Sequence, residues 1–83
     1  MSIIEVKQQA TKLSEEFEIY DDLLESYILR YESISSQVSK AATKEIKKQA
    51  MKALDMLVKN INIVTEKMDN INMQLEELVN NIA

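Results

Sequence analysis

The stretch SISSQVSKAAT, residues 33–43, separates two hydrophobic repeats that cannot belong to one straight helix. Before it, Ile3, Val6, Ala10, Leu13, Phe17, Tyr20, Leu24, Tyr27, Tyr31, Ile34, Val38 and Ala41 follow one another at alternating steps of three and four, all apolar. After it, Ala50, Leu54, Leu57, Ile61, Val64, Met68, Ile71, Leu75, Leu78 and Ile82 do the same. Such spacing lays an apolar seam along one side of a helix. Nine residues separate Ala41 from Ala50, whereas a continuous heptad repeat needs seven, or an insertion of three or four. The chain must therefore turn or change face within this stretch.

The stretch itself is suited to a turn. It holds four serines and a threonine, whose hydroxyls compete for backbone hydrogen bonds and weaken a helix. Ser39 and Thr43 are the candidate N-caps of a second helix. At the other end, Ser2 and Glu5 have the spacing of a capping box. The reading is a helix over about residues 2–34, a turn region over about 35–43 and a helix over about 44–82. Each helix of roughly 35 residues spans about 50 Å, and a short connection makes the pair antiparallel. The expected fold class is all-α: a single domain, residues 1–83, forming an antiparallel helical hairpin with heptad, coiled-coil seams. Oligomerisation then completes it as a helical bundle.

Composition agrees. The 83 residues include no Gly, Pro, Cys, His or Trp, so turn formers and helix breakers are scarce. A content of 46% apolar and 29% charged residues is that of a folding chain rather than a disordered tail. Without Cys there is no disulfide framework or thiolate metal site, and without His the commonest metal ligand and general base are missing. No apolar run exceeds three residues, such as Tyr27 to Leu29, so no membrane span is expected. The start, MSIIEVKQQ, lacks a basic segment followed by a long apolar core, so no signal peptide is expected. The expected location is the cytoplasm.

Charge is unevenly placed. Residues 1–32 carry net −5, residues 33–59 net +4 and residues 60–83 net −3, within a total of −4. With a fold point near Gln37, the acidic run Glu15, Glu16, Glu18, Asp21, Asp22 and Glu25 is expected opposite Lys47, Lys48, Lys52 and Lys59. Lys40, Lys44, Lys48 and Lys52 stand four apart and are expected to form one electrostatic stripe along a helix. The acidic balance, with a pI near 4.8, and the lack of an arginine cluster or interleaved aromatics speak against nucleic acid.

Nothing in the sequence assembles a catalytic, metal or cofactor site. Adjacent acids such as Glu15/Glu16, Asp21/Asp22 and Glu76/Glu77 point apart on a helix. Glu18 and Asp22 share a face, but no further ligand completes a helical metal site. The tyrosines fall on the seam, where each ring packs and each hydroxyl reaches the rim.

The apolar count points to contact instead. The two series use 22 of 38 apolar residues, and a lone hairpin offers each helix only one covered face. YDDLLESYILRY, residues 20–31, is apolar on several sides, as a segment touching more than one helix would be. Ile19, Leu23, Tyr27, Ile28, Leu29 and Tyr31, with Met56, Ile63 and Met73, are the candidate partner-binding residues. The expected function is a non-enzymatic protein–protein interaction module, an oligomeric adaptor or assembly subunit. The expected partner is protein: a second copy in a dimer or tetramer, or a heterologous helical chain. The alternative is a small cognate chaperone, secretion-targeting partner or antagonist that holds an amphipathic helix of another protein. In size and outline the chain resembles the WXG-type secreted hairpins, and Phe17 and Asp21 match the aromatic-x-x-x-acid spacing of a secretion signal in that group. It lacks that family's Trp-x-Gly turn, and no function is carried over.

Overall fold

A computed structural model describes residues 2–40 and 43–82. Two α-helices, α1 (Ile3–Lys40) and α2 (Lys44–Ile82), pack side by side as an antiparallel hairpin. The rod measures 62 × 14 × 13 Å with a radius of gyration of 18.6 Å, against about 12 Å for a compact domain of this length.

Both helix starts are capped by the residues that the sequence nominates. The Glu5 N–H donates to Ser2 Oγ at 3.2 Å, and the Ile46 N–H donates to Thr43 Oγ1 at 3.2 Å. Each cap answers one backbone donor left open by the first helical turn. Of the two candidate caps for α2, the structure uses Thr43. Ser39 instead donates to the Ser36 carbonyl at 2.8 Å inside α1.

Helix α1 therefore continues about six residues past its expected end and runs through the serine-rich stretch to Lys40. Of the expected turn region, residues 35–40 belong to α1 and Thr43 precedes α2, while Ala41 and Ala42 lie outside the described residues. Packing explains the difference. Ile34 and Val38 are half-buried against α2, and tertiary burial outweighs the weak helix preference of serine.

The seams meet as expected. Val6, Leu54, Leu57, Val64, Ile71 and Leu78 are buried. Ala10, Leu13, Phe17, Tyr20, Leu24, Tyr27, Ala50, Ile61, Met68 and Leu75 are half-buried. Ile3 and Tyr31, at the same spacing, remain exposed. Ala41 and Ile82, which close the two series, lie outside the residues whose side chains are described.

The register corrects the expected charge pairing. Lys67 Nζ lies 5.4 Å from the centre of the Tyr20 ring. Gln74 shares a groove with Gln9, Leu13 and Glu16, while Ala53 and Leu57 share one with Arg30 and Ile34. The acidic run Glu15–Glu25 thus faces the segment around residues 62–72, not Lys47, Lys48, Lys52 and Lys59. Lys47, Lys48 and Lys52 face the last turns of α1, and Lys59 faces the level of Ile28. The stripe is corrected too: Lys40 ends α1, and only Lys44, Lys48 and Lys52 share α2. The hairpin is consequently polar end to end. Its turn end, built from residues 33–59, carries net +4, and the remainder carries −8.

Candidate interaction surface

With the buried series at heptad positions a and d, the neighbouring positions e and g border the seam on its two sides. In an antiparallel pair the g positions of both helices border one flank and the e positions the other. Groove linings follow this assignment. Arg30, Ala53, Met56 and Asn60 line one groove above Ile34 and Leu57. Gln9, Glu16 and Gln74 line another on the same flank above Leu13.

This geometry sorts the candidate partner-binding residues into four groups. Leu23 falls on the first flank at g, with Ile19, Met56 and Ile63 at c, one step further out on the same side, and all four are exposed. Ile28 falls on the second flank with Met51 and Val58 and is also exposed, while Tyr31 belongs to the seam series but stays exposed. Leu29 and Met73 stand on the outer surfaces, 60% exposed each. Tyr27 belongs to the seam and is half-buried. The single contact centre that sequence reading places over residues 19–31 is thus divided between two flanks of one rod.

The first flank is centred. Leu23 lies close to the middle of α1 and Ile63 at the middle of α2, and the register puts them at one level. The apolar part of the second flank sits nearer the turn, around Ile28 and Val58. Sequence reading missed Ile46, exposed on the first flank toward the turn, and Ile4, exposed near the open end. Heptad position alone would have found Ile46, which stands at g beside the seam, whereas Ile4 stands at b on the outer side of α1.

Chemical alternatives find little on this surface. Among the described residues no group of three or more His, Cys, Asp or Glu could hold a metal ion. No buried side-chain polar atom among them lacks a hydrogen-bond partner. No described helix is long and apolar enough to cross a membrane. Lys47, Lys48 and Lys52 lie beside Ser33–Lys40, a segment with no acid of its own. Compared with protein-family models, curated proteins and solved structures, the chain matches none.

Proposed function

We propose that this chain is a non-enzymatic protein–protein interaction module: a half-bundle that acts as an oligomeric adaptor or assembly subunit. One observation carries the reading. Among the described residues six apolar side chains are buried, while fourteen large ones stay exposed. The accessible surface is 6627 Å², whereas a compact monomer of 9.6 kDa exposes about 5,100 Å². The excess, roughly 1,500 Å² on this one chain, is about twice what a standard specific interface removes from one partner. Covering it with further helices would supply the third layer that a hairpin lacks.

A second reading has its own support. Met51, Met56 and Met73 are among the exposed residues, and methionine adapts to varied apolar partners. A helix of another protein laid along one flank would use them, as in a cognate chaperone, targeting partner or antagonist.

The test is the pair Leu23→Glu and Ile28→Glu made together, which charges both flanks without entering the buried seam. The proposal expects the variant to lose its assembled size, or its helicity if folding depends on assembly. Full size and full helicity in the variant would count against it.

A further inference from the structure

The geometry points to a second copy of this chain on the Leu23/Ile63 flank, reversed end to end, with the dyad at the level of those two residues. This inference rests on the oligomeric reading above and gives it a surface and an orientation.

Three independent features agree. The first is position. Leu23 and Ile63 lie at the middle of the rod, so a dyad there lets two rods overlap along their full length. A face 62 Å long and 14 Å wide gives about 800–900 Å² per copy, the size of a standard specific interface. A dyad through the Ile28/Val58 patch, about 20 Å from the turn end, would overlap about 40 Å of the 62 Å rods and leave both open ends uncovered.

The second is the charge of the whole rod. The +4 turn end and the −8 remainder complement each other when the copies are reversed. Parallel copies set the positive ends together, and like charges brought together disfavour that arrangement.

The third is local. Glu16 and Arg30 stand at the same heptad position as Leu23, seven residues before it and seven after. A dyad crossing the rod lays α1 antiparallel on α1 of the other copy. Each Glu16 then falls opposite the other copy's Arg30, twice by symmetry, with Leu23 on Leu23 between them. In a parallel arrangement the dyad runs along the rods, α1 lies on α2 of the other copy, and Glu16 falls level with about residue 71, far from any Arg30. Within one chain the two residues are about 21 Å apart along the helix and cannot pair.

The natural chain has no cysteine, which makes cross-linking a clean test. Under mild oxidation, Leu23→Cys and Ile63→Cys should each form a disulfide-linked dimer. Glu16→Cys alone should not, whereas an equimolar mixture of Glu16→Cys and Arg30→Cys chains should. Arg30→Glu should weaken the dimer about tenfold, since two exposed attractions become repulsions. Adding Glu16→Arg to Arg30→Glu should restore it to within about threefold, which no intramolecular role explains. Efficient cross-linking at Ile28→Cys or Val58→Cys without any at Leu23→Cys would overturn the inference while leaving the oligomeric reading intact. Self-cross-linking of Glu16→Cys would place the dyad near residue 16 rather than at Leu23 and overturn it as well. A natural chain that stays monomeric at every concentration would overturn both.

Discussion

Leu57→Ala against Leu29→Ala separates the surface that the hairpin covers from the surface that it leaves open. Both substitutions remove the same atoms from a helix interior. Leu57 is 5% exposed at the seam and Leu29 is 60% exposed on the outer surface of α1. Deleting a buried leucine costs about 2–5 kcal/mol, depending on how far the site collapses around the gap. In this two-helix rod no described side chain is fully buried, so neighbours and water relax into the space. The expected loss for Leu57→Ala is therefore near the lower end, about 2–3 kcal/mol. For a domain of this size that is a fall in melting temperature of roughly 8–20 °C. Leu29→Ala should stay within about 0.5 kcal/mol, as surface changes do. Urea unfolding followed by circular dichroism, at one fixed protein concentration because assembly shifts apparent stability, reads both. Equal midpoints for the two variants would refute the assignment of Leu57 to the seam and Leu29 to the outside.

Other expectations are smaller and local. Thr43→Ala removes the cap of α2 and should cost about 1 kcal/mol, while Thr43→Ser should restore most of it in the same melts. Ser39→Ala should be nearly silent or slightly stabilising, because its hydroxyl bonds within α1 rather than capping α2; a loss as large as that of Thr43→Ala would reverse the assignment. Lys67→Ala takes the ammonium from the Tyr20 ring and should cost about 0.5–1 kcal/mol, the range of an exposed cation–π contact. Lys67→Arg should largely preserve it in the same unfolding curves.

The heptad seams were legible because period is a property of the sequence alone. Val64 and Ile71 are buried where the alternation of three and four puts them. The end of α1 was not legible. Serine propensity argues for a stop near Ile34, but Val38 still has a partner on α2, and packing decides. That one misjudgement propagates into the charge pairing. Moving a hairpin's fold point by about six residues shifts every facing pair by about twelve, since both arms move. Lys52 consequently faces the serine-rich end of α1 instead of Asp22. The candidate contact residues were legible as an apolar surplus. Their division into two flanks required the register, because Leu23 and Ile28 are close in sequence yet border opposite sides of the seam. The symmetric placement of Glu16 and Arg30 about Leu23 acquires meaning only once Leu23 is known to be exposed and central.

A hairpin that is half of a bundle must assemble to fold. Size-exclusion chromatography with light scattering, and circular dichroism on the same sample, should then give a strongly helical species of sharp mass at twice 9.6 kDa, or at a higher even multiple. A stable, fully helical monomer, unchanged in mass and melting temperature across concentration, would contradict it.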